Sequence, residues 1–412
     1  MANLIQKIAA GWLLALGCVC AQANTADAGD ANKDAPPEVR TFSVPQPSSS
    51  APAPAAAPAP AAAAPAERPP RRIALLLPLH SENLGQVAEV LRQGFMAAHE
   101  IQSDGVLVNV VESGENGADV LDNYQLALSQ HDVIVGPLSR AGVETLIASG
   151  GLSKPTLALN YPEKISERLP HNLLLMGLSL EDEARQSAQW AAQNLPKGAR
   201  ALVLSSNIAW QRRAAKAFAL QWQKLGMEAL QQEIWSSSGF LSAAGLEQLK
   251  KRLSSEKLQL IYIALDAEQT RQLRNLLPPE LPQYGSSQLN RIALQDQEHA
   301  DPALFLDGVR VLDIPWQFQR DHAAVMVYPR LLQNAEQKRS ADLERLYGLG
   351  IDAYRIARVL ALQTGQALEL DGVTGRLQVK VNKNGFSFER QLPQAVFRQG
   401  VLQNHGLPQL GP

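Results

Sequence analysis

Arg71–Ala98, RRIALLLPLHSENLGQVAEVLRQGFMAA, reads as a strand, a turn and a helix in one unit. Ile73–Leu77 is a continuous apolar run between two arginines and Pro78, the pattern of a strand buried on both faces of a parallel sheet. Pro78 ends the ladder because it has no N–H to donate. Beyond the polar loop His80–Gln86, residues Val87, Val90, Leu91, Gly94, Phe95 and Ala98 recur at steps of three and four, one face of a helix. A buried strand feeding such a helix is half of a right-handed βαβ unit. In that architecture ligands lie beyond the carboxyl ends of the strands, which places His80 on a cleft wall.

The same alternation continues outward from this unit. Strand signals at Val106–Val111, Val133–Gly136, Thr156–Leu159 and Leu173–Met176 are separated by helical or turn signals. Ser179 and Asp182 then open the helix EDEARQSAQWAAQNL, stopped by Pro196. A second round begins at Arg200–Leu204, with a helix over Ala209–Leu225 closed by Gly226. Further strands are expected near Ala229–Trp235, at Leu258–Ala264 and at Gly308–Leu312, with a short one inside the turn-rich Pro278–Ser287. Ala341–Thr364 reads as one long helix. Gly375–Val381 and Phe386–Arg390 flank Asn384-Gly385, a strong hairpin signal. The fold class is therefore α/β, with two doubly wound lobes. The expected bounds are about 71–177 with 315–369 for the first lobe and 178–314 with 370–402 for the second.

The N-terminal seventy residues differ in kind. Lys7 precedes the apolar run Ile8–Val19, which is too short to span a bilayer and is followed by small residues, as in an export signal over residues 1–23. Two processing sites compete. Ala21-Gln22-Ala23 is an A-x-A site; Leu14-Ala15-Leu16-Gly17-Cys18 resembles a bacterial lipobox, with Cys18 as the lipid-bearing residue. Residues 24–70, ending in APAPAAAPAPAAAAPAERPP, bury too little surface to offset chain entropy and are expected to be a disordered Ala/Pro spacer.

Composition excludes several classes. A formal net charge of -2 over 412 residues gives no electrostatic reason to expect nucleic acid. Both cysteines, Cys18 and Cys20, lie in the leader, so residues 71–402 have no disulfide, no thiolate nucleophile and no cysteine metal site. The seven histidines form no H-x-x-x-H pair, so no metal site is expected. Gly136-Pro137-Leu138-Ser139 lacks the spacing of a nucleophile elbow. Gly348-Leu349-Gly350 with Ala353 lies inside a helix and follows no strand, so it is no dinucleotide fingerprint. Those glycines read instead as permitting close helix packing.

At this point ordered stretches resemble a known family. HDVIVGPLSRAGVETL (His131–Leu146), LALNYPE (Leu157–Glu163), LSLEDEARQSAQWA (Leu178–Ala191), AFALQWQKLG (Ala217–Gly226), GVRVLDIPW (Gly308–Trp316), RLYGLGIDAYRIA (Arg345–Ala357) and DGVTGRLQV (Asp371–Val379) are similar to the C-terminal domain of penicillin-binding-protein activator lipoproteins. That domain belongs among type I periplasmic binding proteins. The resemblance implies an exported, non-enzymatic regulator that binds and activates a class A penicillin-binding protein from the outer-membrane side, with no cofactor; processing at the lipobox, rather than after Ala23, would anchor it to that membrane through Cys18. Members with the full architecture carry a helical-repeat domain before this one, where this chain has the Ala/Pro spacer. The alternative is a solute-binding protein of an ABC transporter for a small polar or amino-acid-like ligand.

Strand ends select the cleft candidates: His80, Ser139, Arg140, Asn160, Tyr161, Ser206, Asn207, Asp266 and Asp313, facing a small ligand or a peptidoglycan fragment. Each has a plainer role. Ser139 stands where a helix N-terminus favours an anion, and equally where an N-cap is needed. Asn160-Tyr161-Pro162 suits a turn; Asp313 suits a hinge between lobes. Arg212, Arg213 and Lys216 form a basic helix face that reads as solvated surface. Trp210 and Trp316 are either interface anchors or core.

Overall fold

The protein's structure is a computed structural model that describes residues 69–164, 169–193, 195–292, 302–331, 340–363, 366–382 and 385–406. The leader, Cys18, the spacer as far as residue 68, and Asn384 of the hairpin signal lie outside the described residues.

The first sheet is built as its apolar runs require. Strands β1 (Arg71–Leu77), β2 (Val106–Glu112), β3 (Val133–Val135), β4 (Thr156–Ala158) and β5 (Leu173–Leu175) are all parallel, in the order β2-β1-β3-β4-β5. Helices α1 (Gly85–Ile101), α2 (Gly117–Gln130) and α3 (Arg140–Ser149) connect the first four strands. Alternation along β1 divides the packing. Ile73, Leu75 and Leu77 enter the core with Leu91 and Phe95 of α1, while Ala74 and Leu76 meet Tyr124, Val143 and Leu146 on the other face. Burying both faces in this way is what a helix-covered parallel sheet demands. Gly136, at the end of β3, precedes a cis peptide bond to Pro137.

The chain then crosses over and repeats the pattern. Helix α4 (Leu180–Ala192), capped by Ser179 accepting from the Asp182 N–H, leads to β6 (Arg200–Ser206), α5 (Ala209–Lys224) and β7 (Glu228–Ile234). A small ribbon of β8 (Ser236–Ser237) and β9 (Phe240–Leu241) follows, then α6 (Ala243–Ser255), β10 (Leu260–Ala264), α7 (Ala267–Leu273), β11 (Gln283–Gly285) and β12 (Arg310–Leu312). Strands β7-β6-β10-β11-β12 are parallel neighbours. Their order repeats that of the first sheet. Tyr262 of β10 stacks on Phe218 of α5 at 4.1 Å between ring centroids, and Phe218 on Trp222, so the aromatic residues fill this lobe's core.

A second crossing at Asp313–Ile314 leads into α8 (Pro315–Phe318), α9 (Ala323–Val327) and α10 (Ala341–Leu362). Helix α10 packs on α1, and glycine sets their separation. A Cβ on Gly94 would lie 2.0 Å from the Tyr347 carbonyl oxygen, and one on Gly350 2.1 Å from that of Leu91. The packing reading therefore holds for Gly350. It fails for Gly348, whose Cβ would have its nearest neighbour at 3.5 Å, an ordinary contact.

Strands β13 (Leu368–Gly372), β14 (Gly375–Asn382) and β15 (Gly385–Gln391) make a separate antiparallel sheet, and only then do β16 (Gln394–Arg398) and β17 (Val401–Gly406) extend the second sheet beyond β12, β16 antiparallel to β12 and β17 antiparallel to β16. The placement differs from the expectation that 370–402 belongs wholly to the second lobe. Gly385 lies against the His171 backbone, whose carbonyl accepts from the Phe386 N–H at 3.4 Å, so β15 lies beside the end of the first sheet at β5. The third crossing falls at Leu392-Pro393. Trp316 is fully buried, its indole N–H donating to Glu344 at 2.7 Å, while Trp210 is half-buried. Arg212 and Arg213 are paired with Glu233 and Glu181.

Candidate functional site

Both parallel sheets reverse strand order beside their first strand, so each has a switch point: β1/β3 in the first, β6/β10 in the second. The sequence candidates fall at these places, after β4 (Asn160 and Tyr161) and at the second crossing (Asp313). His80 and Ser139 follow β1 and β3; Ser206, Asn207 and Asp266 follow β6 and β10.

All but Arg140 and Tyr161 of these candidates have side chains in internal hydrogen bonds. The His80 ring nitrogen Nδ1 lies 2.8 Å from a Glu112 oxygen that also accepts from the Leu79 N–H. Ser139 accepts from the Gly142 N–H at 3.1 Å, the N-cap of α3, and Arg140 opens that helix half-buried. Asn160 donates to the Leu138 carbonyl and accepts from the Tyr161 N–H. The Tyr161 ring rests on Gly177; burial pushes its hydroxyl up to about 12, against the pull of the nearby Arg390. Ser206 accepts from the Ile208 N–H. Asn207 accepts from the Ser236 N–H at 2.7 Å, and Asp266 makes a capping box with Gln269 at the start of α7.

Asp313 stands apart. It is 1% exposed, at the second crossing, and is gripped bidentately by Arg345 of α10, Nε to Oδ1 at 2.9 Å and Nη2 to Oδ2 at 2.7 Å. The same guanidinium donates to the Ser287 and Asn290 carbonyls at 2.9 and 3.0 Å and to Asp342 at 2.9 Å. Asn290 donates back to Asp313 at 2.9 Å. Burial works against the charge of Arg345, but the Asp313 and Asp342 carboxylates outweigh it and raise its pKa. From the other side, buried Glu183 of α4 accepts from the Ser287 N–H at 2.5 Å. Burial is the main reason its carboxyl is pushed up to about 8, with Asp313 adding to the push and Ser287 and Arg345 opposing it.

This network joins the lobes. Helix α10 packs on the first lobe, whereas Ser287–Asn290 follow β11 of the second. Arg345 ties them together at the crossing itself. Arg390 Nη1 donates to the Gly177 carbonyl at 2.7 Å, linking the first crossing to the third, and Gln186 of α4 donates to the Arg390 carbonyl and accepts from the Leu392 N–H. Asp352, fully buried on α10, accepts from the Val373 N–H and from the Thr374 N–H and hydroxyl. The sequence reading selected Asp313 but missed Arg345, Glu183 and Arg390. A signal existed for the first of them, and for Asp352. Arg345 and Asp352 occupy the same helical phase as Leu349 and Ile356, so charges stand where an apolar face is expected.

Comparison with known proteins adds sequence and fold relatives. The family described as "LppC putative lipoprotein" matches residues 53–400. A protein named "Penicillin-binding protein activator LpoA" of Histophilus somni (strain 129Pt) is 26% identical over 335 residues, 80% of this chain and 54% of that protein. The chain thus spans just over half the length of this relative. Among solved structures, one titled as a "putative branched-chain amino acid ABC transporter" of Chromobacterium violaceum ATCC 12472 has a TM-score of 0.63 at 33% identity, covering 79% of this chain and all of that one. The LpoA (YraM) C-domain of Haemophilus influenzae, titled a regulator of PBP1A, has a TM-score of 0.62 at 20% identity, covering 81% of this chain and 99% of that one, a likeness of fold.

Proposed function

Because the chain belongs to the LppC family, we propose that it is an exported, non-enzymatic regulator of peptidoglycan synthesis that binds and activates a class A penicillin-binding protein. The observation that carries this reading is the match, along 80% of the chain, to a relative named for activating penicillin-binding proteins. The geometry supports it. A receptor that delivers a solute needs convergent free polar groups and a hinge that closes on its ligand. Here the polar side chains at the strand ends brace the fold, and the crossing is pinned by a buried Arg345–Asp313 pair. Recognition then falls to the outer surface. The family's description as a lipoprotein supports Cys18 as the lipid-bearing residue, with residues 24–70 as the spacer that holds the body off the outer membrane. Among the described residues no helix is long and apolar enough to cross a membrane.

The second reading, a solute-binding protein for a small polar or amino-acid-like ligand, draws on the 33% identity to the Chromobacterium chain. One experiment separates the two. The purified chain is screened for thermal stabilisation by amino acids and peptidoglycan fragments, and in parallel for binding to purified class A penicillin-binding proteins. The expected result is saturable binding of a synthase and no amino acid that raises the melting temperature. An amino acid that stabilises the chain saturably, by about 2.7 kcal/mol once it is at a hundredfold excess over its Kd, with no synthase bound, would replace the first reading by the second.

A further inference from the structure

Glu183 lies on the first turn of α4, just beyond the first crossing, and Asp313 stands at the second. Both are buried, at 4% and 1% exposure. The short turn Ser287–Leu289 is held from two sides. Glu183 accepts from the Ser287 N–H at 2.5 Å, and Arg345 of α10 donates to the Ser287 carbonyl at 2.9 Å. Helix α10 packs on the first lobe, so the second of these bonds spans the lobes. The first sets the turn that Arg345 grips.

The charges at this junction do not balance. Arg345 already serves Asp313 and Asp342, at 2.7 and 2.9 Å, and Glu183 brings a third carboxyl to the same guanidinium. From α5, Arg213 is committed to Glu181 at 2.6 Å. From β10, the titratable group that feels Glu183 is the Tyr262 hydroxyl, which burial keeps protonated. An enclosed carboxyl with no cation of its own is most stable as the neutral acid. One turn further along the same helix face, the buried Ser187 hydroxyl has no partner among the described residues and offers that acid an acceptor.

We propose that Glu183 is a proton-operated latch on the lobe junction: as the neutral acid it holds Ser287 in place for Arg345, and on ionising it leaves the turn for water and frees the second lobe to move against the first. Asp313 shares the network without this property, because Arg345 matches its charge. With the latch open the carboxyl is hydrated and has its ordinary acidity, whereas in the closed form burial holds its pKa at about 8. The open form thus gives up a proton that the closed form keeps. Opening is rarest below about pH 4.5, grows by up to about tenfold per pH unit above it, and levels off near pH 8. Both sheets stay folded throughout, and the latch works whichever partner the body has.

Hydrogen exchange of the purified full chain, followed by mass spectrometry from pH 5 to pH 9 and corrected for the intrinsic amide rate, reads such local opening. In the native chain, protection of Ser287–Asn290 and of Trp316, whose N–H is bonded to the Val373 carbonyl at 3.0 Å, should fall by about tenfold or more between pH 5 and pH 8. Ile73–Leu77 and Leu260–Ala264, inside the two sheets, should keep theirs. Glu183→Gln retains a carbonyl oxygen for the Ser287 N–H and cannot ionise, so its junction should be protected equally at both pH values. Native protection that does not change with pH, an equal fall in Glu183→Gln, or an equal fall inside the sheets overturns the latch. If the variant does not fold, the native series still decides. Opening that levels off near pH 8 is expected, and opening that levels off near pH 6.5, the ordinary histidine value, overturns the proposal.

Discussion

Arg345→Met is expected to destabilise the folded body by about 3–5 kcal/mol, because it removes one partner of a buried ion pair and leaves Asp313 charged and enclosed. The native guanidinium is 7% exposed and its partner 1%. Methionine restores much of the volume, so a cavity does not dominate the loss. It restores none of the four acceptors, two of which are backbone carbonyls at Ser287 and Asn290. A loss of this size lowers the melting temperature by about 5–10 °C. Adding Asp313→Asn to Arg345→Met should recover part of the stability, since the orphaned charge is then gone. Thermal melts of the single and double variants check this. A loss under about 1 kcal/mol for the single variant, or no recovery in the double, would mean that the pair does not hold the crossing.

The second large effect concerns pH. Burial raises the folded-state pKa of Glu183 to about 8, against the ordinary carboxyl value of 4.5. Its protonated form is the one the fold prefers. Between those two values the unfolded chain has released a proton that the folded chain still holds, so stability falls as pH rises, by at most about 1.4 kcal/mol per pH unit. This contribution is fully present below about pH 4.5 and is lost by about pH 8. Glu183→Gln keeps a carbonyl oxygen for the Ser287 N–H and cannot ionise. The variant should therefore match the native chain at pH 5 and gain on it steadily towards pH 8. Denaturant unfolding at several pH values, read as the difference between the two proteins, isolates this group from the rest. A difference independent of pH would show that Glu183 does not titrate in this window.

Both predictions turn on residues that were not among the sequence candidates, Arg345 and Glu183, and the reason is physical. The two parallel sheets were legible because their strands are covered on both faces and therefore read as unbroken apolar runs, as Ile73–Leu77 and Leu260–Ala264 do. The three-stranded sheet at Leu368–Gln391 was half legible. The turn at Asn384-Gly385 announces its hairpin, whereas β13 alternates with exposed residues and is fixed by Asp352 reaching across from α10. Strands β16 and β17 are short and lie at the margin of the second sheet, so they carry no long run. The candidate site divides similarly. Ser139, Asn160 and Asp266 lie where a cleft needs them, yet cap and turn chemistry uses the same residue types. Arg345 and Glu183 sit inside helices, and only the fold shows that both reach Ser287.

The proposed role is regulation of a cell-wall synthase through the surface of this body. The most direct measurement is the rate of glycan polymerisation and cross-linking by a purified class A penicillin-binding protein on its own substrate, with and without a saturating amount of the chain. A higher rate is expected in its presence, and no product from the chain alone. An unchanged rate for every such synthase that binds it, or product formed by the chain by itself, would contradict it.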